Sequence, residues 1–391
     1  MRPLLPLAVP AGEAVLDLLP TLARALAGEL DHALLPHAAD AAPDPALGPG
    51  RALAPAEDDP ADPTAVVVAT SGSTGTPKGA LLPAGALRAS AAATDARLAP
   101  GAGTRQWVLA LPAHHVAGLQ VLLRSVRAGT EPVVLPAGPS TPAAFVAATA
   151  AATGTHLLTS LVPTQLVRLL DAGEEAEAAL RRYAAVLVGS AATPAPLLAR
   201  ARAAGVRVVT TYGSSETCGG CVYDGRPLDG VHADVREGRL VLSGPVVARG
   251  YRGLPGHPAF PAGPGPRTFR TDDTGEVAGG RVRVLGRVDD LITTGGLKLA
   301  PGLVEEALSG TPGIGEVVVV GVPDAEWGQR VVACVVPAGT APTLAEVRDR
   351  VAGVLDRWAA PRQVLVLPEL PLRGPGKPDR ARLRALAAGD R

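Results

Sequence analysis

Between Ala65 and Thr210 six short runs suited to β-strands recur, with helical patterns in most of the spaces between them. The runs are Ala65–Ala69, Trp107–Leu111, Glu131–Leu135, His156–Ser160, Ala185–Val188 and Val206–Thr210. Helices are expected near Gly85–Arg97, from Val116 to Val126 and at Pro163–Asp171. Parallel strands need long crossovers and helices supply them, so this alternation leads to a parallel sheet covered by helices.

The flanks read differently. The start is Pro-interrupted and then follows an amphipathic helix pattern carrying Glu13 and Asp17, unlike a cleaved signal peptide. Ala38 to Pro63 is rich in Ala, Asp and Pro and reads as a connecting segment. From Gly230 to Leu285 short apolar runs alternate with turns, as in a small β-rich subdomain. Beyond Gly286 a helix at Gly302–Ser309, strands at Glu316–Val320 and Val331–Val336, and a helix at Thr343–Trp358 make a compact α+β unit. The expected fold is therefore α/β: a large N-terminal domain of helix-covered sheets with a β-rich subdomain, residues 1–288, and a small α+β C-terminal domain, residues 289–391.

A formal net charge of zero removes nucleic acid and membrane surfaces as main partners. No apolar run is long enough for a transmembrane helix, and a soluble cytoplasmic protein is expected. Cys218 and Cys221 have CxxC spacing, but no second pair or His cluster lies nearby, so small wall residues are preferred to a metal or redox site. Lysine is more informative. Arginine supplies 34 of the 37 basic residues, and only Lys78, Lys298 and Lys377 remain. Where the background is Arg, a retained Lys points to a position that needs a compact ammonium on a flexible stem.

Lys78 closes the stretch TSGSTGTPKG, residues 70–79. A Walker A loop would place Ser or Thr after the lysine, and here Pro77 and Gly79 flank it, so that reading fails. A flexible linker is disfavoured by the preceding apolar strand and by Pro77. What remains is a loop whose hydroxyls and N–H groups can bind phosphate oxygens while Lys78 neutralises charge. It resembles the phosphate loop of the adenylate-forming superfamily of acyl-CoA synthetases, adenylation domains and luciferases. Further segments resemble that superfamily's motifs in order: LPAHHVAGL (111–119), TYGSSET (211–217), FRTDDTG (269–275), GRVDDLITTGG (286–296) and GPGKPDR (374–380).

The resemblance implies ATP, Mg²⁺ and CoA, a carboxylate activated as its adenylate, and transfer to a thiol. It assigns the ATP phosphates to Thr70, Ser71, Gly72, Ser73, Thr74, Gly75 and Lys78, with Ser215 on the α-phosphate. Ser190, Ala191, Tyr212 and Gly213 would enclose adenine. Asp273, with Arg287 near it, would hold the ribose; Asp272 stands where relatives often carry Gly. Glu216 would bind Mg²⁺, Lys377 would reach the attacking carboxylate and α-phosphate, and Asp289 would be the hinge of a mobile C-terminal domain. Gly295, Gly296 and Lys298 are placed toward CoA.

The acid site is expected at His115, rather than the neighbouring His114, and on the helix after it. That helix reads as apolar until Arg124, about two and a half turns on. A guanidinium there could pair with a second carboxylate on the substrate, or simply serve the helix end. The text HHVAGLQVLLRS resembles the o-succinylbenzoate–CoA ligases, whose substrate is an aromatic dicarboxylic acid. The resemblance gives Arg124 the remote carboxylate and lines the ring with the start of the helix and Gly213–Ser214. Another aryl- or acyl-CoA synthetase, an adenylation enzyme loading a carrier protein, and a non-catalytic nucleotide binder are the alternatives, the last opposed by Lys78, Glu216 and Lys377. Homo-oligomerisation is left open.

Overall fold

The computed structural model describes residues 1–70, 77–372 and 378–389. Strands β1 (Leu4–Val9), β2 (Ala33–Ala38), β3 (Thr64–Thr70) and β4 (Lys78–Pro83) form one sheet in that order, parallel except for β4. Strands β5 (Arg105–Leu109), β6 (Val133–Val134), β7 (His156–Leu161), β8 (Tyr183–Val188), β9 (Val208–Ser214), β10 (Gly219–Tyr223) and β11 (Arg226–Pro227) form a second. Its order is β11-β10-β9-β8-β7-β5-β6; the pairs from β9 to β6 are parallel, while β10 turns back antiparallel on β9.

Alternation along the strands dictates the layers. In β5, Trp107 and Leu109 enter one core with Leu22, Leu87, Leu119 and Leu122, while Val108 enters another with Phe145, Leu166 and Leu180. The first core holds helices α1 (Leu19–Ala27), α2 (Ala84–Leu98) and α3 (Val116–Ala128) between the two sheets, since Val66 and Val68 of β3 join it from the other side. Helices α4 (Pro142–Ala151), α5 (Pro163–Asp171), α6 (Glu174–Arg181) and α7 (Ala195–Ala203) cover the opposite face of the second sheet.

Strands β12 (His232–Arg236), β13 (Arg239–Ser243) and β14 (Thr268–Arg270) make a small sheet, and β15 (Asp273–Ala278) pairs with β16 (Arg281–Arg287) as a hairpin. After the short turn Val288–Asp290 come β17 (Ile292–Thr294), β18 (Leu297–Leu299), helix α8 (Pro301–Leu308), β19 (Ile314–Asp324), β20 (Gly328–Pro337), α9 (Leu344–Ala352), β21 (Gln363–Val366) and α10 (Arg380–Ala388). Their two apolar cores draw only on residues after Ile292. No helix among the described residues is long and apolar enough to cross a membrane.

Four sequence expectations are corrected. The Pro-interrupted start, for which no strand was expected, forms β1, and β2 follows the helix after it; Pro3, Pro6 and Pro36 hide the pair in the sequence. The strand expected over Glu131–Leu135 shrinks to Val133–Val134 at the sheet edge. The run expected to end at Thr210 extends to Ser214, which brings the TYGSS motif onto a strand. The helix expected to reach Trp358 stops at Ala352, where Gly353 follows, and a separate short turn covers Arg357–Ala359.

Candidate active site

Strand β9 delivers Tyr212, Gly213 and Ser214 to a pocket of ≈ 100 Å³ at its C-terminal end. Ligands of parallel α/β sheets bind at that end of the strands. The antiparallel return of β10 crowds the turn: a Cβ on Gly213 would stand 2.2 Å from the Gly219 carbonyl oxygen, so only glycine fits. The β15–β16 hairpin supplies the facing wall, because its register sets Asp273 directly across from Arg287.

Tyr212 donates its hydroxyl to Asp273 Oδ2 at 2.7 Å, and Arg287 lies 3.8 Å from Oδ1. Asp272 is spoken for: Arg239 reaches it at 2.8 Å and Arg287 at 3.3 Å, on a side chain 53 % exposed against 22 % for Asp273. Asp273 is thus the carboxylate set into the wall. Burial holds its carboxyl above the ordinary range, helped by Asp272 and Glu216 and opposed by Tyr212 and Arg287. The Tyr212 phenol is also raised, by burial first and then by the Asp273 charge.

A raised carboxyl means that the folded state holds its proton to higher pH than the unfolded chain. Its favourable contribution is complete below the unfolded value and lost as pH rises through the folded one. Asp273→Asn therefore raises the melting temperature of the ligand-free protein at pH 7 to 8. The gain narrows as pH falls toward about 4. Thermal melts across pH check this, and a gain independent of pH would contradict it.

Glu216 follows β9 in a short turn and is 7 % exposed. Tyr251 donates to its Oε1 at 2.6 Å. Tyr251 gets there because residues 249–252 run beside β4, with Arg252 N donating to Gly79 O at 2.7 Å and Leu81 N to Gly250 O at 3.0 Å. The same register brings Lys78, the first residue of β4, over the Tyr251 ring at 5.1 Å and within 3.5 Å of His257. Burial and the Lys78 ammonium both hold His257 below its ordinary value. One aromatic residue thus links the lysine and the carboxylate.

Among the described residues no group of three or more His, Cys, Asp or Glu side chains is set to hold a metal alone. Magnesium characteristically takes one or two carboxylates and completes its shell from phosphate and water. Glu216, a buried hard-oxygen donor on the wall of this pocket, fits that habit.

Helix α3 starts after His115, which occupies its N-cap position, and the His114 ring packs tilted against that of His115, centroids 4.2 Å apart. Burial lowers the His114 imidazole. Arg124 is 3 % exposed and makes no ion pair among the described residues. Its Nη2 approaches the Tyr223 hydroxyl at 3.4 Å, its guanidinium carbon lies 5.1 Å from the Trp107 ring, and its Nε has no partner.

The pocket unites Tyr212, Gly213, Ser214, Glu216, Asp273 and Arg287. His115, Arg124, Thr70, Lys78, Ser190, Ala191 and Ser215 are not part of its lining. Ser190 and Ala191 follow β8, the neighbour of β9, and Thr70 pairs with Lys78 across β3 and β4. Asp289 is exposed in the turn between β16 and β17, beside Asp290, which ion-pairs with Arg380 and Arg384 of α10. Gly295 and Gly296 form the tip of the β17–β18 hairpin, and Lys298 is exposed beside it, away from the pocket wall. Ser71, Gly72, Ser73, Thr74, Gly75 and Lys377 lie outside the described residues. Cys218, Cys221 and Cys334 are buried free thiols, raised by burial, and thus core residues.

Sequence reasoning missed Tyr251, His257, Arg239 and Gln120. For Tyr251 a signal existed: the chain has only 4 Tyr and 3 Phe, so the scarcity argument applied to lysine would have singled it out. Gln120 was passed over because its neighbours on α3 are apolar.

Comparison with known proteins accounts for both parts of the chain. The profile of the AMP-binding enzymes matches residues 12–252, and that of the AMP-binding enzyme C-terminal domain matches residues 303–377. A probable 2-succinylbenzoate–CoA ligase of Mycobacterium tuberculosis is 45 % identical over 389 residues, 98 % of each chain. A 2-succinylbenzoate–CoA ligase of Bacillus mycoides is 32 % identical over 82 % of this chain and 69 % of its own. Among solved structures, o-succinylbenzoate CoA synthetase from Bacillus subtilis, in complex with its acyl-adenylate intermediate, superposes with a TM-score of 0.70 at 27 % identity, covering 83 % of this chain and 69 % of the other. ATP-bound MatB from Rhodopseudomonas palustris gives a TM-score of 0.74 at 27 % identity, over 97 % and 78 %. Matches to both family profiles and a relative similar from end to end agree, and the chain, with its pocket at the end of β9, belongs to the AMP-binding enzymes.

Proposed function

We infer that the chain is an AMP-forming 2-succinylbenzoate–CoA ligase acting on ATP, Mg²⁺ and CoA, as its relatives' names and the magnesium–ATP complex of the Bacillus subtilis synthetase support. A carboxylate oxygen of the acid attacks the α-phosphorus, the bond to pyrophosphate breaks, and an acyl-adenylate forms. The CoA thiol then attacks the acyl carbon, and AMP leaves with the bonding electrons while the thiol proton passes to solvent.

The first step brings anions together, so catalysis consists largely of positioning and charge stabilisation. Bound Mg²⁺ neutralises phosphate charge, and Glu216 is the residue to hold it. Asp273 accepts from the ribose hydroxyls, and Arg287 across the hairpin keeps it ionised as it is buried. Tyr212 braces Asp273 and presents its ring to adenine. Lys78 and the loop before it retain the β- and γ-phosphates, and Lys377 serves the attacking oxygen. Asp289 is the pivot between residues 1–288 and 289–391, whose rotation exchanges Lys377 for the thiol.

One observation supports the choice of acid: the buried guanidinium of Arg124, which has no salt bridge among the described residues and only the Tyr223 hydroxyl and the Trp107 ring against it, with Asp95 acting on it electrostatically. A buried guanidinium with no bidentate carboxylate is incompletely compensated, and a substrate carboxylate supplies that pairing on binding. The test is mass spectrometry of reactions with ATP, Mg²⁺, CoA and 2-succinylbenzoate, beside benzoate, a medium-chain fatty acid and an amino acid. The expected products, from the dicarboxylate alone, are AMP, pyrophosphate and the succinylbenzoyl thioester. Thioester from the other acids only would refute the acid, and adenylate without thioester would point to a carrier-protein acceptor.

A further inference from the structure

Gln120 stands one helical turn before Arg124 on α3 and so shares its face. It is 1 % exposed, and neither its amide nitrogen nor its amide oxygen has a partner among the described residues. A buried primary amide with both ends unsatisfied is rare in a folded protein, and its partner is either a bound ligand or a bound water. Its surroundings locate that partner. A Cβ placed on Gly219 would stand 3.5 Å from Gln120 Cγ and 3.9 Å from Val116 Cγ2, so the side chain lies against the first residue of β10. Gly219 pairs with Ser214 of β9, whose hydroxyl is also buried and unpartnered and which lines the nucleotide pocket. The Arg124 Nε, Trp107 Nε1 and Asp95 Oδ1 are further buried polar atoms lacking partners among the described residues near this helix, and Asp95 acts electrostatically on Arg124.

We propose that Gln120 is a specificity-determining residue that receives the ring carboxylate of the acid together with Arg124. With the acid bound, its Nε2–H₂ donates to a carboxylate oxygen beside the guanidinium, and its Oε1 accepts from the Ser214 hydroxyl, a bond that is not formed in the ligand-free protein. This rests on the reading of the enzyme as a ligase for an aromatic dicarboxylate. It adds that the second carboxylate is recognised by an amide and a guanidinium acting as a pair. An arginine alone would attract any anion. A neutral amide one turn away, fixed by packing on Gly219, adds direction, because its donors satisfy only an acceptor placed between the two side chains.

The experiment compares kcat/KM for 2-succinylbenzoate with that for 4-oxo-4-phenylbutanoate, the same acid lacking the ring carboxylate. It uses the wild type, Gln120→Met and Gln120→Glu. The preference for the dicarboxylate should fall about 30-fold in Gln120→Met, through KM for the acid and not KM for ATP. It should fall further in Gln120→Glu, where a carboxylate meets a carboxylate. Gln120→Met keeps the side chain's length and removes only polar atoms, and the near-isosteric Glu variant gives a second reading. A wild type that makes the thioester but whose preference is unmoved by both variants overturns the proposal alone, leaving a core amide served by water. A wild type that does not use 2-succinylbenzoate overturns the ligase reading and this proposal with it.

Discussion

Glu216→Gln slows adenylate formation by about 10²–10³-fold and shifts its magnesium dependence to higher concentration. Glutamine keeps the length of the side chain and an oxygen to accept from Tyr251, which donates to Glu216 at 2.6 Å, so the turn after β9 retains its shape. Only the negative charge goes. The loss should appear in ATP–pyrophosphate exchange and be absent from thioester formation with supplied acyl-adenylate, because phosphate charge matters before pyrophosphate leaves. Since Glu216 lies 7 % exposed among few other acidic groups of the pocket, no neighbour replaces it easily. Unchanged magnesium dependence would place the metal elsewhere, and an equal loss in both half-reactions would mean a damaged fold.

The second large effect is on stability and lies away from the pocket. Glu57 is 2 % exposed, ion-pairs with Arg252, and accepts from Ala54 N at 2.8 Å and Gly253 N at 2.5 Å. Arg252 also donates to Ala52 O at 3.0 Å. Glu57→Leu leaves a buried guanidinium and two backbone N–H groups without their acceptor, and should destabilise the N-terminal part by about 3–5 kcal/mol. Pairing it with Arg252→Met should recover much of that loss, because the unpaired charge is then gone. Denaturant midpoints of the two single variants and the double variant measure the coupling; additive losses would show that the pair itself matters little. Because Arg252 follows Tyr251 in the segment beside β4, Glu57→Leu should also weaken ATP binding at a distance.

Much of this protein could be read in advance, for identifiable reasons. Strands β5, β7 and β8 are short apolar runs between helices, and period and spacing are local properties that survive in sequence. The pair β1 and β2 was hidden because its prolines argue against strands and only the parallel partner makes them tolerable. Tyr212, Glu216, Asp273 and Arg287 were nominated from motifs, and they line one pocket. Tyr251 belongs to no motif considered, and it enters the site only through hydrogen bonds that lay residues 249–252 along β4. Gln120 looked like one polar residue on an apolar helix, and its isolation becomes visible once every atom near it is known.

The sequence alone determined the alternation of helices and strands through the central part of the chain, the chemical identity of each cation and carboxylate, and the order of the motifs along the chain. These follow from local periodicity and side-chain chemistry, which need no knowledge of distant residues. Tertiary structure decided which aspartate of the 272–273 pair is engaged by surface arginines and which is set into the pocket wall. It also decided that Tyr251 meets Glu216, 35 residues away, and that the Gln120 amide is buried without a partner. Those outcomes depend on β-sheet register and on desolvation, and both are sums over contacts between segments far apart in the chain.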